Sequence, residues 1–561
     1  MIKVKKNKVQ DSILLRLPDK YPPLIKRLLA ARPVDAGDED LSLRGIIPIS
    51  DFKEVYEAIP LIRSHFDNEI LIYGDYDVDG ATSIALLFLG LKDLKFSNVK
   101  YYVPNRMTMG YGFSLLGLKD LLRDHNPSLI ITVDNGMSSF DAVEVARQMG
   151  IDILIVDHHL EGSKRPCANV IVNPNLNSTS FPGKNLAAVG VVFYLLSALG
   201  KEVDAKHVAL NYCDLVALGT VADMVKLDKT NRILIKYGLN LIKQRKCRPG
   251  IVHLFETLNK KIEVANEDDL GFLIAPRINA AGRIDDMRVG IQCLISDDST
   301  PLKEITRQLN SINHKRKKMQ LEMSDEADDL VKKINSKDLM EPIIILRGEH
   351  WHEGVIGLIA SRIKERYGKP TLIFSRGEET ISASARSIPG FHLRDFLIEV
   401  DRIHPELMVK FGGHAMAAGL TIKSDQFERM REIFYDTAKS YNPNKIDYLT
   451  YHDGALTDDE LCLEMLEWYE KLRPWGKDFE YPIYYQEFYI TSYKWLQEKH
   501  FKCTLRMKDG KKLFQGIAFN QGHFIVDPNS IYNVLYSPKK NDFNNNVSVQ
   551  LLIQHNTINR A

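Results

Sequence analysis

Carboxylates and imidazoles crowd the ends of apolar, β-like runs in the first half of this chain. The clusters are Asp75-Tyr76-Asp77-Val78-Asp79-Gly80, Val133-Asp134-Asn135-Gly136, Val156-Asp157-His158-His159 and, after a longer apolar stretch, Thr220-Val221-Ala222-Asp223. A single Asp at a strand end reads as a turn residue or a helix cap. Four such clusters brought together repel one another when empty. A divalent metal centre removes that repulsion, and the oxygen-rich donor set favours Mg²⁺ or Mn²⁺ over zinc. A fold for this chain therefore has to bring sequence-distant run ends to one place.

The periodicity predicts such a fold. Ile70–Tyr73, Val99–Val103, Leu129–Val133, Ile153–Val156 and Val170–Val172 read as strands, with helices at Thr82–Leu91 and Asp141–Met149 between them. That alternation is the doubly wound α/β pattern, whose sites lie beyond the carboxyl ends of the strands. The three early acidic clusters fall there. Residues 1–65 read as short helices and turns, and Ala187 to about Thr300 as mostly helical. Residues 301–336, with no Gly and no Pro after Pro301, predict one helix about 50 Å long that bridges two lobes. Its basic run, His314-Lys315-Arg316-Lys317-Lys318, reads equally as a solvated face or a DNA contact.

A second α/β unit begins at Pro342–Leu346, with a helix at Val355–Tyr367, a strand at Thr371–Phe374 and glycine-rich elements at Ser382–Gly390 and Gly412–Gly419. Past residue 440 the character changes. Lys471-Leu472-Arg473-Pro474-Trp475-Gly476 reads as a structured linker. Short runs at Pro482–Thr491, Phe501–Arg506 and Leu513–Phe519 then suit a small five-stranded barrel. Residues 484–561 hold ten Lys or Arg against five Asp or Glu, with Tyr485, Phe488, Tyr489, Tyr493, Trp495 and Phe501 interleaved. This is the composition of a single-strand-binding surface and also of a barrel core.

The formal charge of +1 excludes a protein that coats DNA by bulk charge but leaves local patches open. None of the six cysteines has CxxC spacing, so neither a zinc site nor a disulfide framework is expected, as suits a reducing cytosol. No stretch is long and apolar enough to span a membrane, and a cytoplasmic location is the expectation.

Alternate carboxylates leaving a strand, as in Asp75, Asp77 and Asp79, can point to one side. Gly80 would let the backbone turn close to a metal or phosphate. Asp134, alone at a neighbouring strand end, is placed to bridge two ions. In Asp157-His158-His159, neighbouring side chains of an extended segment point apart, so one imidazole can bind metal while the other faces substrate or shuttles a proton. Two metals about 3.5–4 Å apart are an apparatus for in-line phosphoryl hydrolysis. A comparable Ser-His-Asp or Cys-His set is missing from the sequence pattern, as is the phosphate-loop motif of ATPases. Arg106, Arg283, Ser384, Arg386 and His414, beside glycines or other small residues, are candidates to hold substrate phosphates.

These elements resemble the RecJ exonucleases of the DHH phosphoesterase superfamily. DYDVDG (75–80), VDNG (133–136), VDHH (156–159), ALGTVADMV (217–225), NAAGR (279–283), WHEGVIGLIA (351–360), SARSIPGF (384–391) and GGHAMAAG (412–419) follow the family order, and RPWG extends the match to 476. The resemblance implies a parallel-sheet DHH domain and a second α/β, DHHA1-type domain joined by a long helix, plus a C-terminal OB-like β-barrel. The corresponding bounds are an N-terminal extension at 1–65, the catalytic domain at 66–300, the connecting helix at 301–338, the DHHA1-type domain at 339–445, and linker and barrel at 446–561.

The resemblance also implies degradation of single-stranded DNA from its 5′ end to 5′-mononucleotides with two Mn²⁺ or Mg²⁺ ions, in recombination and repair. By the same resemblance Asp77, Asp79, Asp134, His158 and Asp223 are metal ligands, with Asp75 and Asp157 close behind and His159 near the scissile phosphate. Arg106, Arg283, Ser384, Arg386 and His414 hold phosphates. Asp134, Asp157, His158 and His159 form the catalytic set. A helicase and a single-strand-binding protein are the expected partners of a monomer with no membrane association. Ala385 stands where the family commonly has glycine, and its methyl could narrow the groove. The chain ends soon after the barrel, without the further domain some relatives carry. The alternative is a DHH phosphodiesterase for short oligonucleotides or cyclic dinucleotides, which needs neither this length nor a barrel.

Overall fold

The structure is a computed structural model that describes residues 3–33, 40–109, 112–205, 207–333, 341–441, 449–519, 526–543, 546–554 and 557–560. The expected boundaries at 338 and 445, and the expected helix end at 336, lie outside the described residues. The chain opens on a strand, β1 (Lys3–Lys6), where only helices and turns were expected. Its partner is a parallel strand more than four hundred residues later in the sequence. Pairing at that distance leaves no local signal.

The first sheet is wholly parallel. Strands β2 (Ile70–Gly74), β3 (Val99–Tyr102), β4 (Leu129–Val133), β5 (Asp152–Val156) and β6 (Val170–Val172) lie in the order β3-β2-β4-β5-β6. Every residue of β2 and β4 is buried, because helices cover both faces, and this is why these strands read as continuous apolar runs. The strand order reverses between β2 and β4, so their carboxyl ends open the crevice in which such sheets bind ligands. Asp75 follows β2 and Asp134 follows β4.

Helix α1 (Val78–Asp93) begins four residues earlier than expected. Asp77 caps it, accepting the Gly80 N–H at 3.1 Å. The first acidic cluster is thus a tight loop and a helix start, not an extended strand exit. Gly80 lies in the first turn of α1, where a Cβ would come 2.6 Å from the Asp75 carbonyl oxygen. Helices α2 (Ala188–Glu202) and α3 (Cys213–Asp223) pack on α1. The fourth acidic cluster therefore closes a helix, with Met224 turned left-handed after it at φ 57°. Asn279 to Arg283 lie within α4 (Ala275–Ile284).

Helix α5 (Ser299–Lys333) is the expected long helix, packed against α4 and against α6 (Glu353–Tyr367) of the second lobe. It is not the only connection between the lobes. A Cβ on Gly282 of α4 would lie 1.9 Å from the Tyr76 carbonyl oxygen, and one on Gly354 of α6 would lie 1.9 Å from the Arg283 carbonyl oxygen. Glycine at both positions lets the metal-loop backbone, α4 and α6 stack in direct contact.

The second sheet is mixed. Strands β7 (Ile344–Arg347), β8 (Thr371–Phe374), β9 (Thr380–Arg386), β10 (Lys410–Gly413) and β11 (Ala417–Lys423) run in the order β10-β11-β9-β8-β7, with only β7 and β8 parallel. Alternation along β9 sends Ile381, Ala383 and Ala385 into the core and Ser382, Ser384 and Arg386 to the opposite face. The Ala385 methyl is therefore buried away from the cleft and does not narrow it.

Strand β12 (Leu449–His452) pairs with β1. Arg473 and the Trp475 N–H then both bind buried Glu267, at 2.6 and 2.9 Å, and latch the linker onto the first lobe. Beyond it, β13 (Tyr484–Leu496), β14 (His500–Met507), β15 (Leu513–Ala518), β17 (Asn546–Ile553) and β16 (Ile531–Phe543) close a five-stranded ring when β16 returns to β13. A short strand, β18 (Asn559–Arg560), adds to β16. Phe488 and Phe501 are core residues, and the barrel core is continuous with that of the first lobe. Tyr493 is 45% exposed on the outer half of β13.

Replacing Gly354 with alanine isolates the lobe contact. Alanine is a better helix former by about 1 kcal/mol, yet here its methyl meets backbone that cannot move aside. A net loss of about 1–3 kcal/mol in denaturant unfolding is expected; an unchanged or raised stability would contradict the stacked-glycine interface.

Candidate metal centre

The site is built from side chains whose free directions are set by backbone hydrogen bonds. Asp79, 1% exposed, accepts the Ala188 and Val189 N–H groups at 2.7 and 3.0 Å, so its carboxylate sits on the N-terminus of α2 where anions are favoured. Asp134 leaves β4 in the left-handed region at φ 61°. Gly136 follows at φ 118°, where a Cβ would come 2.5 Å from Thr132 Oγ1. His158 Nδ1 lies 3.1 Å from the Leu186 carbonyl oxygen. A carbonyl can only accept, so Nδ1 carries the proton and Nε2 presents a lone pair. That Nε2 lies 3.3 Å from Asp134 Oδ1, 3.8 Å from Asp223 Oδ2 and 3.9 Å from Asp79 Oδ2.

Three sets of ligand atoms result, each gathered within 4.8 Å: Asp75, Asp77 and Asp134; Asp134, His158 and His159; and Asp79, His158 and Asp223. Asp134 and His158 each belong to two sets, so the three form one connected cluster. Burial and the Asp77 charge push the Asp75 carboxyl well above the usual range. Burial followed by neighbouring carboxylates does the same to Asp79 and Asp134, and raises Asp223 to about 7. Burial and the His159 charge hold His158 down at about 4, a neutral imidazole at physiological pH. Asp75 Oδ1 is buried and, among the described residues, has no hydrogen-bond partner. An orphaned buried oxygen, a neutral imidazole lone pair and carboxylates that raise one another's pKa fit a hard divalent cation.

Asp157 falls in none of the three sets. Its Oδ1 accepts the His158 and His159 N–H groups at 2.7 and 3.1 Å and His159 Nδ1 at 2.7 Å, while Oδ2 accepts the Met137 N–H at 3.2 Å. Oδ1 is thus taken up by the two histidines and Oδ2 by the Met137 backbone, and the geometry gives Asp157 a positioning part beside the three sets. The same bonds curl the segment, so the two imidazoles do not point apart: their ring centres are 4.7 Å from each other. Burial works against a charged His159, but the Asp157 bond and charge prevail and raise it to about 9. The shift favours a protonated His159, which donates from its N–H, whereas the same ring can serve as a ligand in the Asp134–His158–His159 set once deprotonated. The His414 ring stacks beside it at 6.4 Å and 15°, which brings the second lobe to the metal cluster.

The cations gather on one side. The Arg106 guanidinium lies 4.9 Å from the Tyr76 ring centre. Burial first, then Arg106, lowers Arg283 to about 10, and the same causes lower Arg386. Arg386 Nη1 donates to Ser384 Oγ at 3.1 Å, and both lie against Gly357 of α6, where a Cβ would come within 3.1 Å of each. Among the described residues none of the three arginines makes an ion pair. Asn279 was read only as part of the NAAGR element, and Asn173 and Asn175 were not singled out from sequence. They hold the Val78 N–H at 3.1 Å and the His159 and His158 carbonyls at 2.8 and 2.6 Å. The Asn-Pro-Asn turn after β6 was the available signal for the last two.

Residues 69–220 match the DHH family N-terminal domain, 340–440 the DHHA1 domain and 452–555 the RecJ OB domain. The chain is 38% identical over 557 residues to the single-stranded-DNA-specific exonuclease RecJ of Escherichia coli, covering 96% of each. It is 38% identical to the RecJ of Haemophilus influenzae, covering 95% of this chain and 96% of that one.

The chain belongs to the RecJ family. Its architecture is that of a DHH domain, a DHHA1 domain and an OB-like barrel. The RecJ of Thermus thermophilus in complex with Mn²⁺ shares the fold, with a TM-score of 0.83 at 24% identity over 98% of this chain and 78% of that one. A structure of exonuclease RecJ bound to manganese aligns with a TM-score of 0.61 at 28% identity over 72% of this chain and 97% of that one.

The raised carboxyls make a pH prediction. A carboxyl whose folded pKa exceeds its unfolded value stabilises the fold below the unfolded pKa and loses that contribution as pH rises through the folded one. For Asp223 the window runs from its ordinary 3.8 to about 7. Metal-free protein should lose thermal stability across it. Mn²⁺ should then raise the Tm more at about pH 8 than at about pH 5.5, by about 3 °C or more. Equal shifts at both pH values would contradict a carboxylate cluster that trades protons for metal.

Proposed function

We propose that this chain is a single-stranded-DNA-specific exonuclease that hydrolyses phosphodiester bonds with two divalent ions, Mn²⁺ or Mg²⁺. It works from the 5′ end and releases 5′-mononucleotides, in DNA recombination and repair. The observation that carries this reading is the connected ligand cluster at the sheet crevice, in a chain similar along almost its whole length to RecJ exonucleases. Asp75, Asp77, Asp79, Asp134, His158 and Asp223 would hold the ions, with Asp134 shared between them. Bound there, the ions would lower the pKa of water and offset the charge that develops on the phosphate.

The remaining residues bind, orient and donate. His159, held by Asp157, presents an N–H toward the reacting phosphate and is the proton source for a leaving oxygen. His414 approaches from the second lobe. Arg283, Arg106, Arg386 and Ser384 would hold phosphates beside the metals by charge-assisted bonds, and Gly357 leaves them room. The exposed Tyr493 on the barrel suits stacking on successive bases. A duplex about 20 Å across does not thread the crevice between lobes unless its end is unpaired, at about 1–2 kcal/mol per base pair. A helicase and a single-strand-binding protein are the partners that supply such ends. Among the described residues no helix is long and apolar enough to cross a membrane, and the proposed location is the cytoplasm.

End-labelled single strands and the same strands in blunt duplex test this directly. Rapid release of labelled mononucleotide from the 5′ end of single strands alone is expected. Asp134→Ala should reduce it by at least about 10³-fold while leaving DNA binding in Ca²⁺ intact. Equal rates on duplex would contradict the threading model, and near-normal turnover by Asp134→Ala would contradict the shared-ligand role.

A further inference from the structure

Arg106 enters the site without a carboxylate to hold it. It begins the helical turn Arg106–Met109 after β3, and among the described residues its guanidinium makes neither an ion pair nor a hydrogen bond. It lies instead over the ring of Tyr76, with 4.9 Å between the guanidinium carbon and the ring centre. Sheet topology brings the two together. Strands β2 and β3 are parallel neighbours, with Tyr73 beside Tyr102 at their carboxyl ends, so the loops that leave them emerge side by side. The Tyr102 hydroxyl lies 3.3 Å from Met109 Sδ and donates to Asp120 Oδ2 at 2.6 Å, which anchors the turn that carries Arg106.

Tyr76 is fixed through its main chain. Its carbonyl oxygen packs on Gly282, and two residues on the Val78 N–H donates to Asn279 Oδ1 at 3.1 Å, so α4 holds the loop at two points. The residues on either side of Tyr76 are Asp75 and Asp77, which share one ligand set with Asp134. The ring thus stands between two carboxylates that a bound cation would fix, and against a guanidinium that the ring fixes. A contact with an aromatic face differs from an ion pair in its consequence. It holds the cation and leaves the in-plane N–H donors free for a phosphate. A carboxylate in that place would take up donors and repel an anionic substrate.

We propose that Tyr76 is a positioning residue that links the Arg106 phosphate grip to metal occupancy. With the metal site filled, Asp75 and Asp77 set the loop, and the Tyr76 ring holds Arg106 with its donors open to a substrate phosphate. The inference rests on the proposed function in one respect, that Arg106 holds a phosphate of the strand.

A double-mutant cycle, read by anisotropy of a 3′-labelled oligothymidylate on the full-length protein in Ca²⁺, tests it without turnover. Arg106→Gln should weaken binding about tenfold and Tyr76→Leu about fivefold, while Tyr76→Phe, which keeps the ring, should recover binding to within about twofold of wild type. In the Arg106→Gln background the further loss from Tyr76→Leu should shrink below about twofold, and the same shrinkage is expected in EDTA without added metal. A Tyr76→Leu loss that persists in full beside Arg106→Gln would overturn the inference, because it assigns the ring to a contact of its own. Equal losses from Tyr76→Phe and Tyr76→Leu, an undiminished loss in EDTA, or no loss at all would overturn it too. Wild-type binding by Arg106→Gln would instead remove the phosphate role of Arg106 from the proposed function, and this inference with it.

Discussion

Mutual repulsion among Asp75, Asp79, Asp134 and Asp223, buried within reach of one another, is the constraint on which the rest of the molecule depends. Burial first, and then neighbouring carboxylates with Asp77 common to all four, push them toward protonation, and nothing in an apolar core would hold them there. The scaffold offsets the repulsion with directed backbone groups. The N-terminus of α2 binds Asp79, and Asp77 caps α1. A parallel sheet with a reversal in strand order supplies the crevice, so ligands from β2, β4, β5 and α3 meet without any of them being close in sequence.

Two histidines adjacent in the chain are driven to opposite protonation states by their partners. The Leu186 carbonyl takes the Nδ1 proton of His158 and leaves a neutral ring aimed at three carboxylates. Asp157 holds its neighbour His159 as a cation. This contrast supports the proposed division of metal binding and proton donation between the pair. The same contacts carry the site into the second lobe: Tyr76 rests on Gly282, Arg283 on Gly354, and Ser384 and Arg386 on Gly357. The arginines proposed to hold phosphates are positioned by the backbone that shapes the metal loop, so the proposed metal and phosphate sites form one unit.

Much of this was legible in the residues. The central strands β2 and β4, buried on both faces, stand out as unbroken apolar runs, and the strands of the first sheet were placed within a few residues of their ends. Convergence of the clusters followed from the fold class. What escaped notice was set by tertiary contacts. The start of α1 at Val78 depends on a cap by Asp77, whose type also suits a metal ligand. The pairing of β1 with β12 and the later barrel strands β16 and β17 join distant, polar segments. The hydrogen bonds that Asp157 makes to both histidines could not be read from the sequence either.

The central claim is that the connected carboxylate–imidazole cluster holds a pair of ions that share ligands. Titration of the metal-free full-length chain with Mn²⁺, followed by electron paramagnetic resonance, tests it most directly. A shared Asp134 predicts binding that saturates at two ions per chain and a spin-coupled spectrum, as expected for ions about 3.5–4 Å apart. Saturation at one ion, or two ions with uncoupled spectra, would contradict it.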